Sequence, residues 1–263
     1  MHCFRSLSCL FSVLVFMGTA LATEGGTGEL TGRVVGKQGA PQAAVEVLLF
    51  DADNGPPPSP ASYWRIPDYS VSSDAKGRFV AQVPHGTYYL GAVIRSNGQK
   101  VGPPVEGDLL LNVFDDAGAA KKFVVSDKPL DVGTLADVVS LTDETKKTAH
   151  VSAIEGNIST DEGKPVQGGL VFAFTSPEMK GRPLFASGKT TPDGRFRLRV
   201  LGGGTYYLKV RQNYGGGPPP VGSLIGVYGG QDPLPVPVKH DEIVKGIKVT
   251  VTKFAGQGPA NRR

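Results

Sequence analysis

The sequence predicts an all-β protein: two tandem β-sandwich modules behind a signal peptide. Three observations carry this. No segment of ten or more residues repeats apolar positions at helical spacing, whereas short runs alternate apolar and polar residues between turn signals. The chain is rich in turn-formers, with 36 Gly and 21 Pro in 263 residues. Finally, its first half is repeated in its second.

The repeat can be read residue by residue. Gly32, Gly39 and Pro41 match Gly156, Gly163 and Pro165 at one constant offset, and Val47 and Phe50 meet Val171 and Phe174 in the same frame. Further on, Gly77-Arg78-Phe79 matches Gly194-Arg195-Phe196, and Gly86-Thr87-Tyr88-Tyr89-Leu90 matches Gly204-Thr205-Tyr206-Tyr207-Leu208. Matches in the same order over most of two segments mark a duplicated unit.

Each match has a turn or strand reason. Gly39 and Gly163 supply the positive φ of a turn that Pro41 and Pro165 then close. Asp193-Gly194 is a tight-turn dipeptide. After it Phe196, Leu198 and Val200 alternate with Arg195, Arg197 and Arg199, a strand with one buried and one wet face. In each Tyr-Tyr pair one ring is expected to point inward and its neighbour outward. Closing strands are expected at Val132–Val139 and Ile243–Val251.

The ends and the joint follow from composition. A polar start with Arg5, the apolar run Leu10 to Met17 and the small residues Gly18-Thr19-Ala20-Leu21-Ala22 predict a signal peptide over residues 1–22. The run is shorter than the roughly 20 apolar residues of a membrane-spanning helix, so no integral membrane span is expected in the mature chain. The modules are assigned to 28–141 and 150–254, with a polar linker at 142–149 and a disordered tail at 255–263. Both cysteines, Cys3 and Cys9, fall inside the signal, leaving no thiol for a disulfide, a nucleophile or a metal.

Those repeated residues also carry a family resemblance. Gly32-x-Val34, Gly39-x-Pro41, Lys76-Gly77-Arg78-Phe79 and Pro84-x-Gly86-x-Tyr88-Tyr89-Leu90 resemble the carboxypeptidase regulatory-like domain. The second half repeats the pattern with Gly163-Lys164-Pro165-Val166, Asp193-Gly194-Arg195-Phe196 and Gly204-x-Tyr206-Tyr207-Leu208. The resemblance implies seven-stranded Ig-like or transthyretin-like sandwiches, similar to starch-binding and other carbohydrate-binding folds and to pilin B-type repeats. Such modules stand as non-catalytic appendages of zinc carboxypeptidases and in envelope and adhesion proteins. The matching positions are turns and core, so they specify fold rather than function.

The search for chemistry comes back sparse. His85, His150 and His240 are followed three residues later by Tyr88, Ala153 and Ile243, never by a carboxylate, so no metal-ligand spacing is present. No Gly-x-Ser-x-Gly elbow and no phosphate-cradling glycine loop occurs. No enzyme, no cofactor and no metal is expected. Asp51-Ala52-Asp53-Asn54-Gly55 starts like a calcium loop, but Ser62 stands where the closing Glu is needed; an Asx turn is the preferred reading. A net charge of +4, with both signs interspersed, argues against a nucleic-acid partner.

Two features depart from scaffold. The stretch from Phe50 to Gly77 is longer than its counterpart from Phe174 to Gly194, and it holds a proline run with Tyr63, Trp64, Arg65 and Tyr69. Both halves also carry a Gly-Pro element, Gly102-Pro103-Pro104 and Gly215-Gly216-Gly217-Pro218-Pro219-Pro220, the second followed by Tyr228. Tyr63, Trp64, Arg65, Tyr69 and Tyr228 are the candidate binding residues. Either they present an exposed surface, or Trp64 caps a sandwich edge and the prolines shield a strand edge. The functional expectation is an exported non-catalytic structural or protein-interaction protein, periplasmic, cell-surface or secreted, whose partner is an envelope or extracellular protein. The alternative is a polysaccharide held on aromatics near Trp64 and Tyr228.

Overall fold

The computed structural model describes residues 26–96, 102–136, 139–140, 151–215 and 217–256. The segments expected to be signal peptide (1–22) and linker (142–149), and nearly all of the expected tail (255–263), lie outside the described residues. The chain is all-β, two sandwiches in tandem. The first comprises β1 (Thr27–Val34), β2 (Glu46–Asp51), β3 (Tyr69–Ser72), β4 (Arg78–Pro84), β5 (Gly86–Ile94), β6 (Leu109–Asn112), β7 (Lys122–Val125), β8 (Leu130–Leu135) and β9 (Val139–Ser140). The second comprises β10 (Ser152–Thr160), β11 (Leu170–Phe174), β12 (Phe185–Ala186), β13 (Arg195–Val200), β14 (Gly204–Arg211), β15 (Leu224–Val227), β16 (Val236–Val238) and β17 (Ile243–Lys253).

In the first sandwich a sheet β4-β1-β8 faces a sheet β3-β2-β5-β6-β9, with β7 also paired to β5. The inward residues of alternating strands meet between them: Leu30, Phe79 and Val83 from one sheet, Val47, Leu49, Tyr88 and Leu90 from the other. The second sandwich repeats this, with β13-β10 and the parallel β17 opposite β12-β11-β14-β15. Here the sheets are joined, because β17 leaves β10 after Val251 and pairs through Thr252 and Lys253 with β15. In the first sandwich that work is divided, β8 pairing with β1 and β9 with β6.

The matched glycines sit at equivalent stations. Gly32 lies opposite Phe79 on β4, and Gly156 opposite Phe196 on β13. In both sandwiches the parallel register slips beside this glycine. A Cβ on Gly156 would stand 1.8 Å from the Ile247 carbonyl oxygen, so only glycine permits that approach. Gly77 and Gly194 take φ of +74° and +78° at the β3–β4 and β12–β13 turns, each 2.4 Å short of a carbonyl at the would-be Cβ.

One expectation about faces is revised. Tyr88 points inward and its hydroxyl donates to the Pro84 carbonyl (2.9 Å), as Tyr206 does to that of Leu201 (2.5 Å). Tyr89, expected outward, is also buried, at 9 % exposure. The outer face of the β2-β5-β6 sheet packs on the outer face of β11, so that Leu48, Phe50, Tyr89, Val93 and Leu110 form one apolar cluster with Leu170, Phe172, Phe174 and Ala186. Period-two alternation identifies two faces but not what each one meets; here both are covered.

Candidate functional site

The enlarged loop after β2 builds the joint between the sandwiches. It begins with an Asx turn: the Asp53 amide donates to Asp51 Oδ1 (3.0 Å) and the Asn54 side chain turns back to Asp68 Oδ1 (3.0 Å). The acidic start therefore uses its oxygens internally. Among the described residues no group of three or more His, Cys, Asp and Glu is placed to hold a metal ion.

Arg65 closes the loop from beneath. Its side chain is 1 % exposed and lies 5.4 Å over the Phe50 ring. Its guanidinium donates to the carbonyls of Gly55 (3.0 Å), Pro56 and Asp51 (2.5 Å), and pairs with Asp68 Oδ2 at 2.9 Å. Burial lowers its pKa, and the Asp68 carboxylate opposes that shift. A proline-rich loop has few amide donors to hold itself together, and the arginine fork supplies them instead.

So closed, the loop lies on the second sandwich as an added strand. Arg65 bridges antiparallel to Phe185 of β12; the Ile66 amide donates to the Leu184 carbonyl (2.9 Å), and the Ala186 amide to that of Trp64 (3.4 Å). Arg199 reaches the Ala61 carbonyl at 2.9 Å and Arg182 the Pro67 carbonyl at 2.5 Å. The Tyr63 ring enters the core of the second sandwich, 5.1 Å edge-on to Phe185, while its hydroxyl donates to Pro57 O (2.8 Å). Burial pushes the Tyr63 hydroxyl up to about 12.

Of the two readings of this loop, the burial of its aromatics agrees with the one in which Trp64 covers apolar surface rather than presenting a platform. Trp64 is 8 % exposed, belongs to the apolar cluster between the sandwiches, and carries Arg95 at 5.9 Å over its ring. Neither it nor Tyr63 offers an open face to a sugar. Tyr228 is half-buried against the core of the second sandwich and lines no part of the joint. Tyr69 alone of the five is exposed, edge-on to Tyr88 at 6.1 Å.

Beside the joint the two sandwiches diverge into a cleft of about 780 Å³. Trp64 and Tyr69 line it from the first sandwich, Phe172, Phe174 and Tyr214 from the second. Both Gly-Pro elements converge on its mouth, each clamped by an arginine at a strand end. Arg95, just after β5, donates to Gly102 O (2.6 Å) and Pro103 O (3.3 Å); Arg211, the last residue of β14, donates to Gly215 O (3.0 Å) and Gly217 O (2.6 Å).

The charge in the cleft is uneven. Arg95, Arg182, Lys209 and Arg211 line it, against one carboxylate, Asp68, which Arg65 already holds. Arg95 is neutralised from behind by Asp108 (3.0 Å), a side chain at 0 % exposure. Burial pushes the Asp108 carboxyl up, but the amides of Ser96 and Val105, the Ser96 hydroxyl and Arg95 outweigh it and hold it below its ordinary value. Lys209 is lowered by burial and then by its neighbour Arg211. Sequence reading missed Arg182, Lys209 and Arg211. For Lys209 and Arg211 the only signal was polar alternation on β14, which reads as an ordinary wet face until the opposing sandwich is in place. Arg182 lies in the connection between β11 and β12 and carried no signal.

No protein-family model matches the chain, and no curated protein matches it by sequence. Among solved structures it is similar to the Bacillus anthracis TIE protein, at 14 % identity over 87 % of this chain and 34 % of that one, with a TM-score of 0.27. It is also similar to a streptococcal ancillary pilin, at 16 % identity over 88 % of this chain and 64 % of that one, TM-score 0.24. A minor pilin of Streptococcus agalactiae gives 14 % identity over 89 % of this chain and 100 % of that one, TM-score 0.25. The chain spans about a third of the first of these and under two thirds of the second. Superpositions this loose transfer no partner or activity.

Proposed function

We propose that the chain is an exported, non-catalytic structural or protein-interaction protein whose two modules, 28–141 and 150–254, are of the carboxypeptidase regulatory-like type and act as one rigid unit. The observation that carries this reading is the docking of residues 63–66 of the first module onto β12 of the second. A connection meant only to tether would leave that loop in water. Instead its aromatics and its one buried arginine are spent on fixing the angle between modules, which suits a part that holds surfaces in register for a partner. The resemblance to envelope and adhesion modules and the signal-like start support export.

The test is made in the producing cells. A photo-activated cross-linker at Tyr69, an exposed aromatic at the cleft, is expected to give a discrete protein adduct in the envelope or the medium, on a mature chain beginning at Thr23. Adducts with polysaccharide alone, or a chain retained in the cytoplasm, would contradict the reading.

A further inference from the structure

Resting on that interaction reading, we propose that the cleft between the sandwiches is a docking site for an acidic peptide segment of the partner that carries apolar side chains between its carboxylates. Uncompensated positive charge points to the acid. Lys209 has no carboxylate partner among the described residues, and Arg182 and Arg211 donate to backbone carbonyls alone. Lys209 and Arg211 are half-buried and repel each other, an arrangement that costs free energy until an anion enters. Arg182 adds a third, exposed cation to the same lining. Burial, and then the neighbouring Arg211, lower the pKa of Lys209, and a carboxylate entering beside it would oppose both effects.

The apolar part of the ligand follows from the floor. Ile66, Tyr69, Met179 and Tyr214 keep accessible surface in the lining beside the cations, over the buried rings of Trp64, Phe172 and Phe174, so a bound chain meets apolar groups as well as donors. A cleft of about 780 Å³ is large enough for several side chains. A sugar polymer fits the lining less well. Its hydroxyls need acceptors as well as donors, and the one carboxylate in the lining is occupied by Arg65 and Asn54. A carboxylate needs donors alone, and fork-shaped guanidinium groups are suited to it.

Trp64, the chain's single tryptophan, reports from the site without a label. The mature chain is titrated with short synthetic peptides in which Asp and Glu alternate with Leu and Phe, and with the same peptides carrying Asn and Gln. The expected result is a saturable fluorescence change with the acidic peptides alone, weakened by salt. The double substitution K209Q/R211Q, and separately R182Q, is expected to weaken binding by about tenfold or more. R195Q/R197Q on β13, remote from the cleft, is expected to leave it unchanged. Equal binding of the neutral peptides, acidic-peptide binding indifferent to K209Q/R211Q and R182Q, or binding of oligogalacturonate in place of the peptides would overturn the proposal. Should the double variant fail to fold, R182Q and the neutral peptides still decide. Silence towards every peptide, beside a protein adduct at Tyr69, sinks the acidic-peptide site and leaves the scaffold reading standing; loss of the adduct sinks the scaffold reading itself.

Discussion

The Tyr63 ring, borne on a loop of the first sandwich, packs edge-on against Phe185 in the core of the second, with centroids 5.1 Å apart. Phe185 in turn stands 5.7 Å from Tyr206, the residue that the duplication pairs with Tyr88. One sandwich therefore completes the core of the other, and the two halves of the chain share stability.

Removing that ring tests the sharing. Tyr63→Ala leaves a hole at Phe185 and deletes the hydroxyl contact to Pro57, a truncation of the class that costs about 3–5 kcal/mol. Urea unfolding is expected to shift to lower concentration and to split, the two sandwiches melting separately. A single transition with an unchanged midpoint would show that the ring contributes nothing across the joint.

Arg65 is expected to be costlier to lose than its surface counterparts. Arg65→Met strands the Asp68 carboxylate and three loop carbonyls, and breaking a buried pair from one side costs about 3–5 kcal/mol. Arg65→Met with Asp68→Asn is expected to recover part of this, because the stranded charge is gone. By contrast Arg195→Met, at a solvent-screened surface pair with Asp193, is expected to leave stability nearly unchanged. Chemical denaturation of the three variants checks the order.

Alkaline pH is expected to unfold the second sandwich. Burial raises the hydroxyls of both Tyr63 and Tyr206 to about 12, against an unfolded value near 10. A folded pKa above the unfolded one means that the stabilisation is fully present below about pH 10 and is lost as pH climbs towards 12. Absorbance of ionised tyrosine and circular dichroism should therefore change together over that window, and Tyr63→Phe should shrink the dependence.

Acid acts through Asp108. Its folded pKa is depressed, so its contribution is present above the unfolded value near 4 and is lost as pH falls through the folded one. Melting temperature is expected to fall on acidification below about pH 4, and Asp108→Asn to flatten that limb of the profile.

Much of the scaffold was legible because the signals were local. Gly77 and Gly194 announced turns by the φ they alone accept, and Phe79-Ala81-Val83 with Phe196-Leu198-Val200 announced strands by alternation. The loop holding Tyr63, Trp64 and Arg65 was legible as an anomaly, since it interrupts the repeat. Its burial was not legible, because an aromatic cluster reads alike whether it faces water or another module. Lys209 and Arg211 were hidden for the same reason: whether a polar face is wet depends on a surface far away in sequence.

Collisional quenching of Trp64 fluorescence tests the docked joint most directly. With the loop seated on β12, Trp64 is expected to emit at short wavelength and to resist iodide and acrylamide, and Tyr63→Ala is expected to release it. Emission like that of free tryptophan in the intact mature chain, quenched as readily as in urea, would contradict the joint and the rigid pair built upon it.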